Sequence, residues 1–325
     1  MKIFDQVLVN DWHPVASLEQ FEHTSIVSVR LLGEDMVLWK VNGHYHAWQD
    51  LCVHRGTKLS LGTVVDGCLR CPYHGWTYNE EGKCVHMPAH PDQAPPSKAR
   101  VKSYRIQERY GLLWVCQGEP AQDIPPFPES EQPGFVTAVC DPACHVQAHG
   151  PRLIENFLDA AHFPYVHAGV LGDQNRPEIG DFQARIGPNG IESDPIAVYQ
   201  PDPFGGTAGI VYYTYHAFRP LTAHFAKRTG ENTFGLMLTI TPHDERDSTG
   251  WFIVAAPNIE DSATLKAVYS PRILKIFEED RVIVESQRPE LLPLDLQEEL
   301  HLRSDRVAIA YRSWLRQLGL SFGVA

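Results

Sequence analysis

Two closely spaced Cys-His pairs constrain this chain more than any other feature. Cys52-Val53-His54 is followed, after 16 intervening residues, by Cys71-Pro72-Tyr73-His74. Each pair lies between short β-rich runs and offers one thiolate and one imidazole. Such a set suits either a tetrahedral zinc ion or a two-iron cluster in which histidines replace two cysteines on one iron. The spacing speaks against zinc, because ribbon-type sites separate their paired ligands by two to four residues and Cys-x-His is tighter. In an extended Cys-x-His loop alternate residues project to one side, so Cys52 and His54 can reach different irons of one cluster. Gly56, Gly75 and Pro72 suit tight loops in which backbone N–H groups approach sulfur, and such hydrogen bonds, with neutral imidazole ligands, raise a reduction potential.

The run C-V-H-x16-C-P-Y-H-G-W resembles the Rieske [2Fe-2S] signature. The resemblance implies that Cys52 and Cys71 hold one iron and His54 and His74 the other. It leaves Cys68, which mimics a CxxC motif with Cys71, as a buried thiol and not a ligand.

Around these loops the chain reads as short strands. Asn42-Gly43 joins two β-rich runs as a hairpin, since both turn residues accept positive φ. Thr77 to Val85 reads as a second hairpin and Gly111 to Cys116 as an apolar strand. Five prolines between Pro120 and Pro133 then exclude helix and central strand. The expected organisation is an N-terminal all-β Rieske domain over 1–118, a Pro-rich linker over 119–134, and a catalytic domain over 135–325. The fold class is α+β, the second domain carrying an antiparallel sheet flanked by helices. Helices are expected from about Pro151, from the Ser270-Pro271 pair (bearing Ile273, Ile276, Phe277 and Asp280 at helical spacing), and from about Ser304 to Leu318.

The second domain begins with Asn156, Asp159, His162 and His167. The first three recur every third residue and share a broad helical face at about 100° per residue. His162 and His167 would diverge by about 140° on a straight helix, so the segment must bend, and Pro164 between them offers the kink. Two histidines plus a carboxylate with open positions is the facial arrangement of non-haem Fe(II) oxygenases. Following a Rieske domain, N-x2-D-x2-H-x4-H resembles the catalytic domain of the Rieske non-haem iron oxygenases. The resemblance implies mononuclear Fe(II) at His162 and His167, with a third ligand from a late helix. Asp305 sits where that helix belongs, with Glu298 and Glu299 as nearest rivals. It also implies that Asp159 links the iron site to a Rieske histidine of a neighbouring subunit in a head-to-tail homotrimer, with Asn156 beside it.

The implied activity is insertion of one atom of O2 into a C–H bond of a small, N-heterocyclic molecule, as hydroxylation or oxidative demethylation. Ring cis-dihydroxylation and a non-catalytic Rieske electron carrier are the alternatives. The chain looks most like single-chain monooxygenases such as caffeine N-demethylases, toluenesulfonate methyl-monooxygenases and saxitoxin-pathway hydroxylases. It shows no Gly-rich dinucleotide fingerprint, so electrons would come from a separate NAD(P)H-dependent reductase or ferredoxin. A net charge of −12 disfavours nucleic acid and anionic bilayers as partners. The lack of a long apolar run or signal-like start, with seven cysteines, an odd number, points to a cytoplasmic chain with reduced thiols. Cys140, Cys144, His145 and His149 are not expected to form a further zinc site, because a strand turns alternate side chains to opposite faces.

Overall fold

The computed structural model describes residues 5–203, 207–230 and 232–325. It divides into two compact units that part between Asp123 and Ile124. Residues 5–8, expected with the N-terminal domain, group with the second unit, where the Asp5 carboxylate accepts hydrogen bonds from the Ser321 and Phe322 backbone.

The first unit contains two antiparallel sheets. One has six strands, and its centre is built from Ser103–Arg109, His44–Gln49 and Glu34–Val41. The Asn42-Gly43 turn closes the hairpin in positive φ at both residues, as the dipeptide predicts. The other sheet has four short strands, Thr63–Val65, Cys68–Arg70, Thr77–Tyr78 and Cys84–His86, in sequence order. Trp39, Trp48, Leu59, Leu69 and Tyr78 form a core that also buries Cys52 and Cys71. The two metal-type loops are thereby anchored by their cysteines. Cys68 is only half-buried on its strand, which corrects the expectation of a buried thiol.

The second unit is built on a nine-stranded antiparallel sheet. Four long consecutive strands, Gly209–Arg219, Thr222–Thr229, Asn232–Asp244 and Asp247–Pro257, form its meander. The helices are α1 (Gln6–Val9), α2 (Gly150–Phe157), α3 (Phe163–Val166), α4 (Ser262–Ser286) and α5 (Arg306–Leu318). Helix α4 starts eight residues before Ser270-Pro271, capped by the Asp261 side chain accepting from the Thr264 N–H at 2.8 Å, and Pro271 lies inside it. The long helix is tolerated because its packing on the sheet outweighs one missing hydrogen bond. Among the described residues no helix is long and apolar enough to cross a membrane.

A buried ion-pair network ties α2 to the C-terminal segment. The Arg312 guanidinium, 3% exposed, donates to both oxygens of Glu155 and to Glu299, while Arg152 donates to Glu299 at 2.9 Å. Removing one member of a buried pair strands the other charge. Arg312→Met is therefore expected to cost about 3–5 kcal/mol, roughly a 10 °C fall in melting temperature of the C-terminal unit. Calorimetry reads this, and an unchanged transition would remove the network from the list of stabilising features.

Candidate metal centres and active site

In the first unit the loops after Cys52 and Cys71 share one local design. The Gly56 N–H donates to the Cys52 carbonyl at 2.9 Å and the Gly75 N–H to the Cys71 carbonyl at 3.1 Å. Both glycines adopt positive φ, which a side chain would resist. The turns bring the His54 and His74 rings to 4.5 Å between centroids, and Trp76 stacks flat on His54 at 4.4 Å. Burial pushes the Cys71 thiol up, and the Tyr73 and His74 backbone N–H groups pull it back while the adjacent Cys52 thiol adds to the rise. The His54 Nδ1 is buried without a hydrogen-bond partner among the described residues, the state expected of a nitrogen reserved for a metal. Two buried thiols facing two converging imidazoles fit a Rieske cluster.

Tyr78 was missed by sequence reasoning. Its hydroxyl lies 3.1 Å from the Cys52 Sγ, in the core beneath the site. Burial and the cysteines around it push its own ionisation far up, so it stays an O–H donor to a thiolate. Tyr78→Phe is expected to lower the reduction potential, because a donor to sulfur stabilises the reduced, more negative cluster. A hydrogen bond of about 1 kcal/mol corresponds to roughly 40 mV for one electron. Protein-film voltammetry measures it, and an unmoved potential would refute the role.

The second constellation departs from the expected single bent helix. Helix α2 ends at Phe157, and Asp159 lies in the break before α3. The Asp159 Oδ1 accepts the Ala161 N–H at 2.7 Å, a local bond that competes with helical continuation. Pro164 opens α3 in its first turn and does not kink a longer helix. His162 and His167 cap the two ends of this one-turn helix, which turns both rings to one side, 5.1 Å apart. Gly172 allows the chain to fold back here, since a Cβ would stand 2.4 Å from the Pro164 nitrogen.

The carboxylate that meets these histidines is Asp280, on α4. Ligand atoms of His162, His167 and Asp280 all lie within 4.8 Å of one another. The Asp280 Oδ1 approaches the His162 Nε2 at 3.3 Å and the His167 Nε2 at 3.0 Å. Both Nε2 atoms are nonetheless buried without an aligned hydrogen bond among the described residues. Two orphaned nitrogens converging on one carboxylate fit a metal ion between them. Outer partners fix the tautomers: the His162 Nδ1 lies 3.1 Å from Asp159 and the His167 Nδ1 2.7 Å from Glu279. Asn156 donates to the Asp280 Oδ1 at 3.4 Å. Burial opposes charge on Asp280, but the two imidazoles hold its carboxyl down to about 2. Burial likewise opposes charge on His162, yet Asp159 and Asp280 hold it up to about 9. The pocket is electrostatically built for a cation.

Asp305 is not part of this cluster, which corrects the expectation from sequence. Its Oδ2 accepts the Leu302 N–H at 2.7 Å, its Oδ1 accepts the Ser304 hydroxyl at 3.0 Å, and it stands at the N-cap of α5. Its carboxylate is spent on the turn that starts the helix. The rival Glu299 is engaged by Arg152 and Arg312, and Glu298 is exposed. The Cys140 to His149 group does not converge: Cys144 points inward on its strand, while His145 points outward and pairs with Asp247.

Beside the triad is a narrow cavity of about 60 Å3. Phe157, Phe163, Tyr213, Phe225, Phe252 and Phe277 dominate its wall. It is concave, mostly apolar and bordered by the three candidate ligands, the arrangement of a small-molecule active site.

Residues 11–105 match the family model for the Rieske [2Fe-2S] domain, and residues 146–320 match that for the vanillate O-demethylase oxygenase C-terminal domain. The chain belongs to the Rieske non-haem iron oxygenases. It is 32% identical to the methylxanthine N1-demethylase NdmA of Pseudomonas putida, over 97% of this chain and 92% of that one. The structure of NdmA with caffeine superposes with a TM-score of 0.81 at 30% identity, covering 96% of this chain and 91% of that one. A putative toluene-4-sulfonate monooxygenase iron-sulfur subunit, TsaM2 of Comamonas testosteroni, is 30% identical over 79% of this chain and 81% of its own length. Dicamba monooxygenase shares the fold, with a TM-score of 0.81 at 23% identity over 97% of this chain and 98% of its own. This Rieske oxygenase is thus a monooxygenase with a [2Fe-2S] cluster, mononuclear iron and O2 as co-substrate.

Proposed function

We propose that the chain oxidises a C–H bond of a small, methyl-bearing N-heterocyclic molecule held in the aromatic cavity. The carrying observation is that cavity, bordered by His162, His167 and Asp280, in a chain similar along its length to a caffeine-binding demethylase. His162, His167 and Asp280 hold the iron, and Cys52, His54, Cys71 and His74 hold the cluster. When bound, these centres supply electrons and O2 activation; the aromatic wall orients the ring and excludes water. Two electrons, two protons and O2 convert C–H to C–OH and water. Where the carbon is an N-methyl group, the hemiaminal breaks its C–N bond and releases formaldehyde.

Asp159 is read as the link between the iron site and the cluster of a neighbouring subunit. Its carboxylate bonds His162 yet stays one-third exposed, beside a depression rimmed by Val166, Leu300 and His301. Leu300 is 97% exposed, and Tyr73 at the cluster loops is 64% exposed. An exposed carboxylate at the iron site and exposed apolar side chains near both centres are the features that would meet in the head-to-tail contact of a homotrimer. A separate NAD(P)H-dependent reductase or ferredoxin delivers the electrons. A reading in favour of the reductase is that the oxidoreductase NdmD of Pseudomonas putida is 36% identical over 47% of this chain, a stretch that is 24% of its own length. Seven free cysteines support a cytoplasmic setting.

The test supplies the purified protein with a generic reductase, 18O2 and a panel of N-methylated heterocycles. Formaldehyde and a demethylated product are expected, with one 18O in any stable alcohol. Two 18O atoms in one product would replace this reading with dihydroxylation.

A further inference from the structure

Two residues on neighbouring strands hold an unspent hydrogen-bond donor at the cavity wall. The strand Ile196–Gln200 runs antiparallel to Gly209–Arg219 with Ile196 opposite Tyr213, so Gln200, Tyr213 and Tyr215 project from one face of the sheet. Phe225, opposite Tyr215 on the next strand, shares that face. Tyr213 and Phe225 line the cavity, and Gln200 stands behind them, fully buried.

The Gln200 Nε2 donates to the Tyr213 hydroxyl oxygen at 2.6 Å. Neither side chain has another hydrogen bond among the described residues, and the Gln200 Oε1 is buried with no partner. The bond fills one lone pair of the phenol oxygen and leaves its O–H proton to give. Burial pushes the ionisation of this hydroxyl up, and Gln200 and the Arg272 guanidinium pull it back only part of the way, so Tyr213 stays protonated. The ring is fixed as well. It stacks on Tyr215 at 5.8 Å, meets Phe225 edge-on at 5.0 Å and packs 5.5 Å from Phe163. Turned by 180°, the Gln200 amide would take the hydroxyl proton on Oε1 and leave its own N–H groups unspent. In both orientations the pair keeps a buried donor without an acceptor, which is destabilising until a ligand accepts from it. Only the first orientation places that donor on the residue that lines the cavity.

We propose that the Tyr213 hydroxyl, held in its donating orientation by Gln200, binds a carbonyl oxygen on the substrate ring and so sets how the ring turns relative to His162, His167 and Asp280. The proposal deepens the reading above and rests on it only for the cavity as the substrate site. The ligand class is a small ring with an uncharged carbonyl. Tyr213 touches the substrate, whereas Gln200 acts through Tyr213 and is a positioning residue.

Isothermal titration of the iron-loaded protein tests this with 1-methyl-2-pyridone against 1-methylpyrrole, two small N-methylated rings of which only the first has a carbonyl. Tyr213→Phe is expected to weaken the pyridone about fivefold or more and to change the pyrrole by less than about twofold. Infrared difference spectra with 13C-labelled pyridone read the bond directly. In the unmodified protein the carbonyl stretch should fall below its position in an aprotic solvent, and in Tyr213→Phe it should return towards it. Gln200→Met keeps the hydroxyl but not its holder, so its carbonyl band should shift less and broaden. Equal weakening of both probes by Tyr213→Phe would make the residue a packing group and overturn the proposal, as would an unmoved carbonyl band in that variant, which would pass the role to another donor. An unmoved band in Gln200→Met would overturn the positioning role. Rieske EPR and iron content verify that the variants fold; if Tyr213→Phe does not, the carbonyl bands of the unmodified protein and Gln200→Met decide. Failure of both probes to bind sinks the cavity as the substrate site and the proposal with it, and binding of both without a carbonyl effect sinks the hydroxyl's role alone. Formaldehyde release is read separately, and its absence beside a clear carbonyl effect sinks the demethylation reading alone.

Discussion

Replacing Asp280 by alanine is expected to preserve the rhombic EPR signal of the reduced cluster and to abolish mononuclear iron binding. Turnover should fall by more than the roughly 10–100-fold that loss of an outer supporting group costs. The reason is geometric and electrostatic. One oxygen of Asp280 faces both histidine Nε2 atoms at 3.0–3.3 Å, and without it two neutral imidazoles face a divalent cation with no counter-charge. Asp305→Ala makes the contrasting control, since that side chain serves the start of α5. It should lose about 1 kcal/mol from the hydrogen bond to the Leu302 N–H that closes the turn before α5, and keep its iron. Iron analysis after dialysis separates the two variants. Full iron in Asp280→Ala, or its loss in Asp305→Ala, would reverse the assignment.

Asp159→Asn should slow electron delivery without emptying either centre. The carboxylate accepts the Ala161 N–H through one oxygen and contacts the His162 Nδ1 through the other. An amide has one acceptor oxygen, so it can keep the loop bond or the histidine bond but not a charged bridge to a second imidazole. In a single turnover started from chemically reduced protein with O2 and substrate, reoxidation of the cluster's visible absorption should slow by about 100-fold, the upper range for an outer-shell histidine partner. Iron content and the EPR of the reduced cluster should not change. A wild-type reoxidation rate would end the bridging role and leave Asp159 as a loop residue that orients His162.

The difference between Asp280 and Asp305 shows where sequence reasoning reached its limit. The local motifs were legible because their chemistry is local. Cys-x-His and Cys-x-x-His, each closed by a glycine in positive φ, build their own turns from hydrogen bonds spanning four residues. His162 and His167 need only one helical turn between them to face the same way, although the break at Asp159 replaced the expected kink at Pro164. The carboxylate is more than a hundred residues away in the chain, and no local rule ranks the acidic residues of two late helices. A signal was present: Ile273, Ile276, Phe277 and Asp280 lie on one helical stripe, and an acidic residue ending an apolar stripe must face something that compensates for its burial. Asp305, beside Ser304 at a helix start, carried the opposite signal of a capping residue. Tyr78 and Gln200 gave no sequence signal, because each is defined by the partner its strand register places beside it.

The primary structure by itself determined the two kinds of metal chemistry, their order along the chain, the β-rich first half and the hairpin at Asn42-Gly43, all of which depend on bonds between residues near in sequence. Tertiary structure alone decided which acid completes the His162 and His167 pair, which hydroxyl meets Cys52 and which amide holds the Tyr213 hydroxyl. Those contacts form only when the sheet and α4 pack, and packing energy depends on which surfaces fit together and not on how far apart their residues lie in the chain.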